Sequence, residues 1–466
     1  MVVVVLCVAQ FVVVLDATIV AITLPSVQAD FGMSTSTLGW VITAYTLTFG
    51  GCLLAAGRIA DRVGRRKVFV TGLVVFGVAS LGCGLAPNAA ALLAGRAVQG
   101  VGAALVSPSA LALLTTARPT GRARTQALGW WTAAAAGGGA SGWVLGGLLS
   151  GSVGWRWVFL VNTPVCVAAL AVAPRVLREQ RVPGSSDLDL AGALLATSAL
   201  AALVLGLTLW PSQGFLGSGT IASLVVAVLL GTAFACVEAR ARDPLLTPAL
   251  LRRPGVLEPN LVALVLTAST TPAMFFCTLY AQRVLGLDPL IAGLLFPPFN
   301  LAVIAGSLAG PRTAAAIGER RAMAAGLGAV AVGALALLGL APDSSPLPWV
   351  LAGFVVMGFG LGVAAVASTA RGTAALAGDD QGVASGLLST SAQLGTVLGL
   401  AVLTPVSAAR TAALPPGAAA EVAGYRVGFV LAAAVAAVTA AAIGLAAAHS
   451  SRQEQPATRR ESASCV

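Results

Sequence analysis

MVVVVLCVAQFVVVLDATIVAITL, residues Met1–Leu24, is an apolar run whose single charge is Asp16. About 20 such residues, wound at about 1.5 Å per residue, match the ~30 Å hydrocarbon thickness of a bilayer. The run has no cationic leader and no small-residue cleavage site, so it reads as a retained membrane helix and not as a cleaved signal peptide. The rest of the chain repeats the pattern. Of its 466 residues 58% are hydrophobic and only 9% charged, too few charges for a water-soluble surface of ordinary polarity.

Working outward from Met1–Leu24, further apolar segments fall near 38–57, 68–86, 90–114, 125–150, 158–174, 190–209, 218–238, 259–280, 289–310, 322–341, 348–368, 382–406 and 427–448. Backbone groups in lipid must pair within their own segment, so these are expected to be helices. A membrane β-barrel would instead show segments of about ten residues with alternating polarity. The expected fold is an all-α polytopic membrane protein of fourteen spans. Pro108, Pro272, Pro297 and Pro298 lie inside expected spans and are expected to kink them.

Charge tests this division independently. Assigning alternate loops to opposite sides puts 22 Lys or Arg on one side and four on the other, with Arg96 inside the membrane, which accounts for all 27. Arg58–Lys67, Arg118–Arg124, Arg175–Arg181, Arg240–Arg253, Arg312–Arg321, Arg371 and the terminal arginines form the rich side, expected to be cytoplasmic along with both termini. Arg156, Arg283, Arg410 and Arg426 form the poor side. The formal charge of +10 therefore does not make a nucleic-acid surface, because it is dispersed in short clusters between spans. The seven cysteines show no metal-ligand spacing and no histidine partner, and no soluble segment is long enough for a catalytic domain. No enzyme, metal or cofactor is expected.

Asp16 is the only acid placed firmly inside a span. A carboxylate there is costly unless protonated, hydrated or paired, which leaves two readings: a proton or cation site, or a buried structural ion pair. Arg96, in Leu92–Gly100, carries the opposite charge. Counted from the outer ends of their spans, Asp16 and Arg96 lie at depths of roughly 12 Å and 9 Å, so a pairing is compatible with the helical rise. The guanidinium does not titrate in the working range, which makes Asp16 the better proton carrier of the two.

Between the second and third spans runs Gly57-Arg58-Ile59-Ala60-Asp61-Arg62-Val63-Gly64-Arg65-Arg66-Lys67. Glycines allow tight turns, and an acid among bases can be held by a helix N-terminus or a cation across an interface. The stretch suits a breakable latch, and a solvated positive-inside loop explains its arginines but not its Gly, Asp, Gly spacing. In the fifth expected span, Gly138, Gly142 and Gly146 recur every fourth residue and form one narrow face for close helix packing, with Gly147 beside it.

Together these stretches resemble the major facilitator superfamily, and in particular its fourteen-span drug:proton antiporter branch. Gly57–Lys67 is similar to the superfamily's loop motif, with Gly57, Asp61, Arg62, Gly64, Arg65 and Arg66 of the characteristic types. Leu15-Asp16-Ala17-Thr18-Ile19-Val20 resembles the branch's first-span motif, and Arg96-Ala97-Val98-Gln99-Gly100-Val101-Gly102 its fourth-span motif. Trp155–Pro164 resembles the signature that enters the sixth span. The resemblance implies two six-helix bundles, 1–174 and 259–448, joined by a segment, 175–258, that carries two additional helices, with a flexible tail at 449–466. It implies a monomeric exporter in the bacterial inner (cytoplasmic) membrane, moving small hydrophobic or cationic molecules by alternating access against protons. Asp16 and Arg96 would couple the proton, and the loop-motif residues would gate the cytoplasmic side. A dedicated natural-product exporter, or less readily a membrane sensor, are the alternative readings.

One departure stands out. The antiporter motif of the fifth span has Pro after Gly, but here the chain reads Gly142-Trp143-Val144-Leu145-Gly146-Gly147, so a fixed φ is lost and an aromatic body is added. Phe11, Phe49, Trp130 and Trp131 are candidates for a substrate cavity because they lie in core-bundle spans and aromatic faces attract planar cations, though helix packing or lipid contact suits each of them better. The topology is tested by single cysteines introduced at 25–37 and 175–189. The first is expected to label from outside and the second from inside; opposite labelling reverses the orientation, and same-side labelling rejects the intervening span count.

Overall fold

A computed structural model describes residues 1–117, 121–179, 190–214, 216–240, 255–342, 347–374 and 381–461, and these are helical almost throughout. The first part of the chain forms α1 (Val2–Phe31), α2 (Thr35–Leu38), α3 (Trp40–Val63), α4 (Arg65–Gly84), α5 (Ala89–Ala117), α6 (Gly121–Ser152), α7 (Arg156–Leu160) and α8 (Asn162–Val176). Next come α9 (Leu190–Gln213) and α10 (Ser218–Arg240). The last part forms α11 (Leu257–Leu279) with a π-turn at Tyr280–Val284, α12 (Pro289–Gly293), α13 (Pro297–Ile317), α14 (Glu319–Ala336), α15 (Leu347–Ala374), α16 (Gln381–Ala412) and α17 (Ala418–Glu461).

Among the described residues, eleven helices are long and apolar enough to cross a membrane, with shorter apolar stretches at Trp40–Leu53 and Leu194–Leu207. The fold is that of an all-α multi-pass membrane protein. α1 packs on α5, α6 and α8, and α4 on α5 and α8. In the last part α15 packs on α13 and α14, and α17 on α14 and α16. α9 and α10 pair with each other, and α9 also touches α3 and α16. α10 has almost no buried surface beyond that pairing, as a helix bathed in lipid requires.

Several boundaries differ from the sequence expectation for identifiable reasons. α1 does not stop at Leu24 but carries Pro25 inside it and ends at Gly32, whose φ of 64° supplies the left-handed cap and whose N–H bonds to the Gln28 carbonyl. Pro297 does not kink a continuous span. The segment expected at 289–310 is divided into α12 and α13, and Pro297 opens the second piece, where its missing N–H costs nothing. The segment expected to be a flexible tail from 449 is helical as far as Glu461, because α17 continues past its apolar part.

The glycine stripe of α6 lies on α1. A Cβ on Gly138 would sit 2.5 Å from the Phe11 carbonyl oxygen, one on Gly142 would sit 3.0 Å from the Ile19 nitrogen, and one on Gly146 would sit 2.6 Å from the Ile19 carbonyl oxygen. Gly147, one residue around the helix, faces the other half of the chain: its Cβ would sit 2.5 Å from the Pro289 carbonyl oxygen. In lipid there is no solvent to expel between helices, so such backbone approach is the main source of their attraction. Gly142→Ala is therefore expected to lower the thermal unfolding midpoint of the purified protein, at a cost of about 1–3 kcal/mol from overpacking. Gly82→Ala, where a Cβ meets nothing within 4 Å, is the matched control and should leave the midpoint unchanged; equal midpoints for both variants would reject the packing role.

Candidate functional site

Five helices contribute to one buried polar cluster around Asp16 and Arg96. The carboxylate, midway along α1, has no exposed surface, and Arg96 on α5 is 1% exposed. Arg96 Nη1 donates to Asp16 Oδ2 at 2.7 Å. On the other oxygen, Gln99 Nε2 donates at 2.8 Å and Asn162 Nδ2 at 2.7 Å. Gln99 lies one turn beyond Arg96 on α5, and Asn162 is the first residue of α8. Three donors from two further helices thus face one carboxylate.

The guanidinium has further contacts through Nε and Nη1. Arg96 Nε donates to the Val41 carbonyl of α3 at 2.9 Å, and Nη1 also donates to Gln99 Oε1 at 2.7 Å. Its central carbon lies 4.3 Å over the Tyr45 ring and 5.7 Å from that of Phe159, adding cation–π attraction. Gln99 Nε2 further donates to Ser80 Oγ of α4 at 2.7 Å. A desolvated ion pair is tolerable only when its remaining lone pairs and protons are filled in this way. Among the described side chains the unfilled atom of the cluster is Asn162 Oδ1.

The sequence had left open whether Asp16 is a lone titrating acid or one partner of an ion pair. The structure shows the pair, buried and with Arg96 directly bonded to it. Gln99, Asn162, Ser80 and Tyr45 were not singled out as site residues, although Gln99 stands three residues after Arg96 and Asn162 lies inside the Trp155–Pro164 signature.

The loop-motif residues stand at one end of the molecule. Gly64 has φ of 126° and links α3 to α4. A Cβ there would meet Glu179 Oε1 at 2.5 Å, and the same oxygen accepts from the Arg66 backbone N–H at 3.1 Å. Arg66 Nη1 donates to the Leu177 carbonyl at 3.4 Å, and Arg65 Nη1 reaches the Ala112 carbonyl at 3.5 Å. Arg62 is exposed, and Gly57 has open space around its Cβ position. The side chain of Asp61 lies outside the described residues. Glu179, absent from the sequence candidates, is the acid that seats on this motif. A second charged cluster occupies the corresponding place in the last part of the chain, after Gly318 at φ 87°. There Arg320 grips Glu258 with two bonds of 2.9 Å, and Arg371 Nε adds a third at 3.2 Å.

Of the aromatic candidates, Phe11, Phe49 and Trp131 are partly buried against one core cluster of the first part of the chain. Phe49 stacks on Tyr45 with centroids 5.9 Å apart, next to the Arg96 site. Phe11 and Trp131 pack against buried core residues, and Trp130 is 67% exposed.

The Major Facilitator Superfamily model matches residues 6–400 and 261–464. The chain belongs to that superfamily. It is a membrane transporter of the major facilitator fold. Over 416 residues it is 41% identical to the cephamycin export protein of Amycolatopsis lactamdurans, covering 88% of this chain and 85% of that one. It is also 38% identical over 413 residues to the puromycin resistance protein of Streptomyces alboniger, at 88% and 82% coverage. A crystal structure of a peptide transporter in complex with sulfate superposes with a TM-score of 0.69 at 15% identity, covering 96% of this chain and 94% of the other. A bacterial homologue of the human lysosomal transporter Spinster, inward-facing and unoccupied, gives 0.65 at 17% identity and 96% coverage of each.

Removing one partner of the buried pair is expected to cost more than removing both. Arg96→Met leaves Asp16 without its countercharge and should lower stability by about 3–5 kcal/mol. Pairing it with Asp16→Asn should restore much of the loss. Thermal unfolding midpoints and the folded fraction on size-exclusion chromatography measure both. A double variant no more stable than Arg96→Met would contradict the pairing energetics.

Proposed function

We propose that the chain is a proton-driven exporter of small hydrophobic or cationic drugs, working by alternating access, with Asp16 as its coupling group. The observation that carries this reading is the convergence of Arg96, Gln99 and Asn162 on the sole acid deep in the first helix. A carboxylate so placed changes the charge balance of five helices when it gains or loses a proton, and alternating access changes what surrounds it. Proton and substrate occupancy then oppose each other: protonation weakens the hold of Arg96, and rearrangement of the helices returns the proton to the other side. Arg96 is the partner that Asp16 leaves and rejoins.

The proposed architecture has fourteen spans, α3, α6 and α9 among them. Bundles at 1–174 and 259–448 rock against each other, with α9 and α10 inserted between them within 175–258, and both termini are cytoplasmic. Gly57, Asp61, Arg62, Gly64, Arg65 and Arg66 form the cytoplasmic gate, supported by the seating of Glu179 against Gly64 and Arg66. A second reading, export of one class of natural product, is favoured by the relatives, which are named for cephamycin export and puromycin resistance.

Asp16→Asn keeps the size and one acceptor oxygen while removing titration; it also leaves Arg96 without its countercharge, so only folded, reconstituted protein is compared. In proteoliposomes with an imposed pH gradient and puromycin as the first probe of a wider antibiotic panel, the variant is expected to lose gradient-driven transport at least tenfold while still binding the transported compound. Unchanged rate, pH dependence and proton movement at equal reconstituted amount would remove Asp16 from coupling. Broad transport across the panel would favour the drug reading, and transport of a single compound class the natural-product reading.

A further inference from the structure

Trp143, which stands where the related motif has proline, is 6% exposed and lies face to face with Phe296, with ring centroids 3.9 Å apart and planes 10° from parallel. The two rings come from opposite halves of the chain, Trp143 from α6 and Phe296 from the residue that precedes α13. Phe296 is fully buried and backed by Phe354 at 5.2 Å, which in turn meets Phe299 edge-on at 5.9 Å. Around the stack the halves touch backbone to backbone. A Cβ on Gly293 would lie 2.5 Å from the Trp143 carbonyl oxygen, and one on Gly147 would lie 2.8 Å from the Leu290 Cα. The contact sits about 13 Å inside the Arg-poor end of α6, counted from Ser152 at 1.5 Å per residue. Two polar bridges join the halves toward the same end: Gln282 Nε2 donates to the Ile22 carbonyl at 2.7 Å, and Arg283 Nη1 to Thr35 Oγ1 at 3.2 Å.

We propose that the Trp143–Phe296 stack is the latch that holds the Arg-poor side of the transporter closed, and that Trp in place of Pro biases the resting protein toward this state. Opening that side requires α6 to leave α12 and α13, so both rings lose their partner. The polar bridges exchange their bonds for bonds to water as they part, whereas the stack has no such replacement, so it carries the bias. The glycines let the rings meet: a larger residue at Gly293 or Gly147 would hold the helices apart. This goes beyond the transport reading, because the population of the closed state is measurable with neither substrate nor proton gradient.

The test is a distance measurement between spin labels on Val153→Cys and Ala413→Cys, exposed positions at the Arg-poor end of the two halves, in the full chain with native cysteines replaced, in lipid nanodiscs. Trp143→Ala and Phe296→Ala are each expected to raise the ratio of long to short distances roughly three- to tenfold, the range for loss of one aromatic pair. The double variant should move the ratio no further than either single one, and Trp143→Phe should stay near the parent. An unchanged distribution, additive single effects, or a Trp143→Phe variant that opens as far as Trp143→Ala would each overturn the latch. Should either Ala variant fail to fold, Trp143→Leu and Phe296→Leu keep apolar volume without the ring and allow the same comparison.

Discussion

The ion pair between Asp16 and Arg96 is the constraint to which the first part of the molecule is built. Both groups are buried, so each lone pair and N–H of theirs that lacks a partner costs several kcal/mol. The partners come from α3, α5 and α8, each presenting a polar atom within about 3 Å of the pair, while α4 supplies Ser80 to Gln99. That requirement fixes the rotation of α5, which supplies both Arg96 and Gln99 from one face, and the entry of α8, whose first residue is Asn162.

Convergence of so many helices on one point is possible only if some of them are thin. α6 meets α1 along Gly138, Gly142 and Gly146, where added side chains would strike the backbone of Phe11 and Ile19. α5 meets α3 and α4 the same way, since a Cβ on Gly102 would lie 2.6 Å from the Phe76 nitrogen. Small residues thus do in lipid what apolar side chains do in a soluble core. They let packing, and not solvent exclusion, set the helix positions that the charged pair needs.

Much of this was legible in the sequence because its signals are local. The apolar runs, the uneven arginines, Asp16, Arg96 and the glycine spacing of α6 are each properties of one segment. What escaped notice was pairing across segments. Glu179 sits in a polar linker with nothing local to single it out, yet it lands on Gly64 and Arg66. Glu258, Arg320 and Arg371 come from three separated helices, although Gly318-Glu319-Arg320-Arg321 after one span echoes Gly64-Arg65-Arg66-Lys67 after another, as expected of a chain built from repeats. Asn162 lay inside a recognised signature, but its bond to Asp16 spans 146 residues and has no local mark. The proline at 297 misled in the opposite sense, because a helix start and a helix kink have the same composition.

The two halves resolve the cost of buried polarity differently. The first concentrates charge in one satisfied cluster, whereas the buried interior of the second relies on hydroxyls and amides, such as Ser391 Oγ donating to Asn260 Oδ1 at 2.9 Å and Thr267 Oγ1 bonding to the Ala392 carbonyl. Its bulk is aromatic: Phe275, Phe276, Tyr425 and Phe429 form one contact group, and Phe296, Phe299 and Phe354 another. Its charges, Glu258, Glu319, Arg320 and Arg371, stay at the helix ends. Among the described residues this half holds no ion pair as fully buried as that of Asp16 and Arg96: Glu258 with Arg320 and Arg371, and Arg283 with Glu421, all keep some exposed surface. Where the two parts of the chain meet at depth the contact is apolar, with Trp143 lying flat on Phe296.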